Sequence, residues 1–312
     1  MIKKEFITIN NRRQGMFISQ KDEQAPILIF VHGGPGSPEF PLFEEDFLAF
    51  GIHDYFTVYY PEQYGAGISY KSGLTANELT KEKIIDDTIA LAEILVEKYQ
   101  KKIYIMGHSW GTFVSTYVIK KAPQLFEAYF GVGQIGNQFI SESLTYEFIK
   151  ENAEKTQYKK LLRKIAKAPV LTKTYFSSIQ YLQLREQGLR KYRGGLFYQK
   201  DISHMDLLKK LLKTKRYTCK EKINYLRGSS LTLKSLWGTV IDSDLTQLKE
   251  FKVPVYIFQG KHDYQTTLNQ ATAFFTSVNA PKKQMFIYGN SAHCPFVDEQ
   301  ELFLQNLLNI IK

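Results

Sequence analysis

Residues 103–113 read Ile103-Tyr104-Ile105-Met106-Gly107-His108-Ser109-Trp110-Gly111-Thr112-Phe113. Four β-prone apolar residues run straight into Gly107-His108-Ser109-Trp110-Gly111, a G-x-S-x-G pattern. From Phe113 to Lys121 the residues suit a helix, which Pro123 stops. A serine on so sharp a strand-to-helix turn sits in a strained backbone conformation, and side chains two residues to either side would collide there. Glycine at 107 and 111 removes those collisions and leaves Oγ exposed above a sheet. The helix behind it turns free N–H groups toward any negative charge that develops. This stretch predicts a nucleophilic serine mounted on an α/β fold.

Outward from that turn the chain alternates between strands and helices. Phe6–Ile9 and Met16–Ile18 are short and β-rich, with Asn10-Asn11 as the turn between them. Ile27–Val31 is a continuous apolar run ending in glycines, as a strand buried on both faces requires. Tyr55–Tyr60 is a fourth strand, Ile103–Met106 a fifth and Ala128–Val132 a sixth. Over 81–99 the residues Ile84, Ile85, Ile89, Ala92, Leu95, Val96 and Tyr99 fall on one helical stripe. From about 137 to 249 the sequence is helical and basic without a buried strand. Alternation resumes with a strand at 253–258, a helix near 267–278, a strand at 284–288 and a helix from about 299. The expected architecture is α/β, a mostly parallel central sheet flanked by helices, with a helical segment inserted after the sixth strand. The expected units are a core of 1–136 and 250–312 and an insertion of 137–249.

Composition narrows the function classes. The chain has 312 residues, 44% of them hydrophobic and 23% charged, which is a globular composition. Two cysteines, Cys219 and Cys294, exclude a disulfide scaffold and a four-cysteine zinc site. The first residues carry positive charge without an apolar stretch behind them, and the longest apolar run, Ile27–Val31, is too short to span a bilayer. A cytoplasmic protein without a membrane span is expected. The net charge of +10 is concentrated in the insertion, which carries 23 Lys and Arg against 10 Asp and Glu; the remainder has 18 against 21. No helix-turn-helix, RNP-type or zinc-finger spacing accompanies that charge, so solvated helix faces are expected rather than a nucleic-acid surface. The six histidines show no H-E-x-x-H pattern, and neither metal nor cofactor is implied.

A serine nucleophile needs a base, a group to orient the base, and two donors for the oxyanion. His32-Gly33-Gly34-Pro35-Gly36 follows the buried strand 27–31, where glycines let backbone amides approach a ligand. The Gly34 and Trp110 N–H groups are the expected oxyanion donors. Asp263 follows the strand at 253–258 and His293 follows the last strand, both at the sheet edge where open α/β sheets bind ligands. Ser109, Asp263 and His293 therefore form the expected triad. His262 comes too early in the chain to be the base, and His108 is expected to pack beneath the turn. Asp242 and Asp244 lie in the insertion rather than after a core strand, and Cys294 reads as a small packing residue. His32, Gly33, Gln134 and Trp237 are candidates to line the substrate pocket.

The combination of His32-Gly33-Gly34-Pro35-Gly36, Gly107-His108-Ser109-Trp110-Gly111, Gly260-Lys261-His262-Asp263 and His293 resembles the proline iminopeptidase branch of the α/β-hydrolase superfamily. The resemblance implies an α/β-hydrolase fold, a serine hydrolase with Ser109 as nucleophile, and a helical cap at 137–249 that shapes the pocket. Members release N-terminal proline from peptides, and relatives cleave other small amides and esters. Two departures stand out. The usual Asp-Gln-Arg-Gly segment is Glu62-Gln63-Tyr64-Gly65 here. The tryptophan-flanked cap glutamate that holds a substrate amine is missing: Trp237 has no glutamate beside it, leaving Glu142, Glu147, Glu151 and Glu186 as acidic candidates. The expected function is hydrolysis of a small ester or amide, or of a short peptide, through an acyl-enzyme. The alternatives are a dedicated aminopeptidase for N-terminal proline and a ligand-binding protein that kept the fold without turnover.

Overall fold

The computed structural model describes residues 2–311. Eight strands form one sheet: β1 (Ile2–Ile9), β2 (Arg12–Ser19), β3 (Ile27–Val31), β4 (Thr57–Pro61), β5 (Ile103–His108), β6 (Phe126–Val132), β7 (Val255–Gly260) and β8 (Lys283–Tyr288). Their spatial order is β1-β2-β4-β3-β5-β6-β7-β8. The pairs made by β2 are antiparallel, and from β4 through β8 every neighbouring pair is parallel. The expected α/β architecture with a mostly parallel sheet is therefore found. β3 lies between β4 and β5, with Ile29 level with Tyr59 on one side and Ile105 on the other. All five of its residues are buried, as its unbroken apolar run requires.

Before β6 come the helices α1 (Glu44–Phe50), α2 (Lys81–Tyr99) and α3 (Trp110–Lys121). Between β6 and β7 come α4 (Gln138–Lys155), α5 (Lys159–Ile165), α6 (Lys173–Phe176), α7 (Ile179–Lys191), α8 (His204–Lys213) and α9 (Cys219–Asp242). The chain ends with α10 (Leu268–Ser277), α11 (Pro295–Asp298) and α12 (Gln300–Ile311). One apolar core packs α2, α3 and α10 on one sheet face, and a second packs α1, α11 and α12 on the other. The helical segment adds a core of its own around Ile149, Leu161, Phe176, Tyr181 and Leu184. No helix among the described residues is long and apolar enough to cross a membrane.

Several boundaries move, each for a physical reason. β1 begins at Ile2 because an edge strand alternates exposed charge with apolar residues and so carries no continuous apolar signal. Asn10 and Asn11 both take positive φ, 50° and 61°, the two-residue hairpin turn that asparagine tolerates. α2 keeps its expected ends, but its buried stripe is centred on Leu91 and includes Asp87. That carboxylate accepts from Asn10, Arg12 and Gln14, tying the helix to the β1–β2 hairpin. α3 begins at Trp110, two to three residues earlier than the apolar pattern suggests. The early start places unpaired helix-N-terminal N–H groups directly behind Ser109.

Candidate active site

Ser109 has φ 55° and ψ −121°, outside the regions where L-residues are comfortable. Such a conformation costs on the order of 1–3 kcal/mol and persists only where the surroundings enforce it. The surroundings here are tight. A Cβ on Gly107 would run into the Gly111 carbonyl, and one on Gly111 would run into the carbonyl oxygen of Val31 on β3. The Ser109 N–H donates to Val132 O at 2.9 Å, which pins the turn to the end of β6. The Ser109 Oγ makes no hydrogen bond with any described residue.

Asp263 and His293 meet at the carboxyl edge of β7 and β8. Asp263 is 1% exposed. Its Oδ2 accepts from His293 Nδ1 at 2.8 Å, Thr266 Oγ1 at 2.8 Å and Gln259 Nε2 at 3.0 Å; its Oδ1 accepts from the N–H groups of Gln265 and Thr266. Burial pushes this carboxyl up, but the neighbouring imidazole and the converging donors more than offset it, and its pKa is held below the usual aspartate value. With an acceptor facing Nδ1, the His293 proton sits on that nitrogen and the Nε2 lone pair is free. Nε2 has no hydrogen-bond partner among the described residues. Burial also lowers the imidazole pKa from its ordinary value against the upward pull of Asp263, which favours the neutral ring. Gly133, at φ 59°, makes room for the ring, because a Cβ there would lie 2.9 Å from it.

The loop after β3 is held by a chain of side chains. His32 is buried. Its Nδ1 donates to Gly33 O at 2.8 Å, while its Nε2 accepts the Gln63 N–H at 3.0 Å. The Gln63 side chain donates to His32 O and accepts from Trp110 Nε1 at 2.8 Å. Gln63 thus clamps the loop to the first turn of α3. Gly33 N–H is spent on Glu39 Oε1 at 2.9 Å. The N–H groups of Gly34 and Trp110 have no partner among the described residues.

Three of the expected pocket residues have to be corrected. His32 braces the loop and Gly33 gives its amide to Glu39, so neither is free for a ligand. Gln134 is wholly buried, bonded to Tyr129 Oη, Ile135 O and the Gln259 side chain, because the chain after β6 turns inward. Trp237 does border a cavity next to Ser109 and donates to Phe176 O at 3.1 Å. The acidic candidates other than Glu151, which is exposed on α4, are engaged elsewhere. Glu147 pairs with Lys150, Asp242 with Lys173 and Glu186 with His204, while Asp244 caps the turn at Leu245. Glu142 is buried against Arg185, Tyr181 and Gln138. His262 stacks on Tyr198 at 4.0 Å, and Cys294 is buried beside His108. His108 itself lies beneath the turn as expected, bonded to Glu39 Oε1 at 2.8 Å and His293 O at 3.1 Å.

Two compartments meet at Ser109. The larger, about 400 Å³, is lined by Ser109, His293, His108 and Glu39 and roofed by Leu207, Leu208 and Leu211 of α8 with Tyr225 and Leu226 of α9. The smaller, about 50 Å³, is bordered by Gly34, Trp110, Gln138, Arg185 and Trp237. No sequence motif assigns a role in the site to Glu39, Gln63, Gly133, Gln138, Thr266 or Arg185, which the fold brings to this region. The described residues contain no group of three or more His, Cys, Asp or Glu placed to hold a metal.

Residues 26–300 match a family model of the alpha/beta hydrolase fold. The chain belongs to the α/β-hydrolase family. It is 30% identical over 308 residues to the probable aminopeptidase YbaC of Bacillus subtilis (strain 168), covering 96% of this chain and 93% of that one. The proline iminopeptidase of Mycobacterium smegmatis has the same fold, with a TM-score of 0.72 at 15% identity over 99% of this hydrolase and 97% of its own chain. A proline iminopeptidase-related protein of Thermus thermophilus superimposes with a TM-score of 0.62, also at 15% identity, over 98% of this chain and 96% of its own.

Proposed function

We propose that this α/β-hydrolase is a serine hydrolase that cleaves a small ester or amide through an acyl-enzyme. The observation that carries the reading is the buried Asp263–His293 pair, whose unpartnered Nε2 belongs to a residue lining the same cavity as the strained Ser109. His293 Nε2 takes the Ser109 proton as Oγ attacks the substrate carbonyl carbon. The oxyanion lies against the free N–H groups of Gly34 and Trp110. The His293 proton passes to the leaving group, the scissile bond breaks, and the acyl group stays on Ser109. A water activated by the same imidazole then returns the free serine. The helices of 137–249 act as the cap, since α8 and α9 roof the larger compartment and α4 and α7 border the smaller.

The sign of the pH dependence follows from His293. A base whose pKa is lowered by burial is available at neutral pH and is lost on acidification. The expected profile of kcat/KM against pH rises through an apparent pKa below 6.5 and is level from there to the alkaline side. An ascending limb centred above pH 7 would mean that a different group is the base.

The curated relative's name favours a second reading, release of an N-terminal residue from a peptide. The two are separated by hydrolysis of proline 7-amido-4-methylcoumarin and p-nitrophenyl butyrate, with Ser109→Ala as the blank. Serine-dependent ester turnover without turnover of the proline amide is expected. Cleavage of the proline amide that disappears on N-acetylation would establish the aminopeptidase instead.

A further inference from the structure

Gln138 is 2% exposed, yet its Oε1 has no hydrogen-bond partner. The side-chain orientation is fixed by its other end. Nε2 donates to two acceptors, Glu142 Oε1 at 2.7 Å and Gln265 O at 2.9 Å, so the carbonyl oxygen must face away from them. Gln138 borders the smaller compartment beside Ser109. Arg185 borders it too. Its Nε donates to Glu142 Oε2 at 2.8 Å and its Nη2 to Gln265 O at 3.1 Å, its Cζ lies 5.8 Å from the Trp237 ring centroid, and Nη1 has no hydrogen-bond partner among the described residues. A buried polar atom left unpaired is costly, so a site presenting an unused acceptor and an unused donor is one built for a partner.

An ester or amide has two arms, and the position of His293 tells them apart. The imidazole must hand its proton to the leaving group. His293 lines the larger compartment and does not border the smaller one. The leaving arm therefore extends beneath α8, and the acyl arm enters the space next to Gln138 and Arg185. About 50 Å³ admits a group of a few heavy atoms and no more.

Charge then selects among short acyl groups. An ammonium would face the Arg185 guanidinium, and Glu142, the carboxylate behind it, is already paired with that guanidinium. Glu142 Oε1 already accepts from Gln138, and its Oε2 from Tyr181 and Arg185. A carboxylate would face the orphaned Gln138 carbonyl with Glu142 behind it. A methyl group would satisfy neither free atom. We infer that the smaller compartment is an acyl subsite for a short acyl group ending in a neutral group that both donates and accepts a hydrogen bond, such as a hydroxyl or a primary amide. It donates to Gln138 Oε1 and accepts from Arg185 Nη1. This rests on the serine-hydrolase reading above and names its substrate class.

The test uses the full chain and three p-nitrophenyl esters of nearly equal size: propionate, glycolate and glycinate. Each kcat/KM is divided by that ester's rate constant with hydroxide to remove intrinsic reactivity. Turnover of the propionate that depends on Ser109 tests the hydrolase reading by itself. The subsite is read from the ratios. Glycolate is expected to exceed propionate and glycinate by at least tenfold, and Gln138→Met to bring the glycolate-to-propionate ratio close to one. Equal normalised rates for glycolate and propionate in the native enzyme would mean that Gln138 Oε1 merely holds a water, and would overturn the subsite while leaving the hydrolase intact. Preference for glycinate would overturn it in favour of an ammonium site. Those native-enzyme ratios decide the matter even if the Gln138 variant does not fold.

Discussion

Ser109→Ala is expected to lower kcat for any ester or amide substrate by about four to six orders of magnitude, the usual cost of removing a nucleophile that works as part of a triad. The fold should survive. Ser109 Oγ makes no hydrogen bond that holds the turn, and the residue's contribution to packing is its Cβ, which alanine keeps. Thermal unfolding should therefore be nearly unchanged while turnover disappears. Ser109→Gly adds a second signature. At φ 55° a side chain is strained, so glycine is expected to raise stability by about 1 kcal/mol while being equally inactive. A variant more stable than the parent and without turnover is what a turn strained for catalysis predicts.

Asp263→Asn is expected to cost about four orders of magnitude in kcat. Asp263 receives hydrogen bonds from His293, Thr266, Gln259 and two backbone N–H groups. An amide has one oxygen for all of these donors, and its NH2 would face the rest. If that NH2 faces Nδ1, the ring must take the opposite tautomer, with its proton on Nε2 and no lone pair for the serine. Buried donors left unpaired cost about 1–3 kcal/mol each, so stability should fall as well. Measuring kcat and the unfolding midpoint together separates the two losses. A stable, folded Asp263→Asn enzyme with near-native kcat would place the orienting group elsewhere.

What the sequence made legible was whatever depends on local pattern. The strand run 27–31, the helix 81–99 and the serine turn follow from periodicity and from glycines whose Cβ atoms would strike neighbouring backbone. The order Ser109, Asp263, His293 then aligns with the ends of β5, β7 and β8. What escaped was set by pairing across long chain distances. Arg185 reads as one more basic residue on a basic helix, and Glu142, 43 positions earlier, as one of four acidic candidates; only the packing of α7 on α4 makes them a buried pair. Gln63 lies in a segment noted for what it lacks, the usual arginine, while its own side chain joins β4, the loop after β3 and α3. His32 and Gln134 sit in sequence where pocket residues would be, but satisfying buried backbone groups turns both side chains inward. Asp87 fell inside an apolar stripe, and its partners are in the first hairpin.

The most direct test of a Ser109 nucleophile activated by His293 is covalent labelling with a fluorophosphonate, followed by intact mass and peptide mapping. A single adduct is expected, mapped to Ser109 and forming in step with loss of turnover. No adduct is expected in Ser109→Ala, and labelling should slow by orders of magnitude in Asp263→Asn. Full turnover in an enzyme that takes no label, or an adduct on another residue with Ser109 unmodified, would rule out Ser109 as the nucleophile.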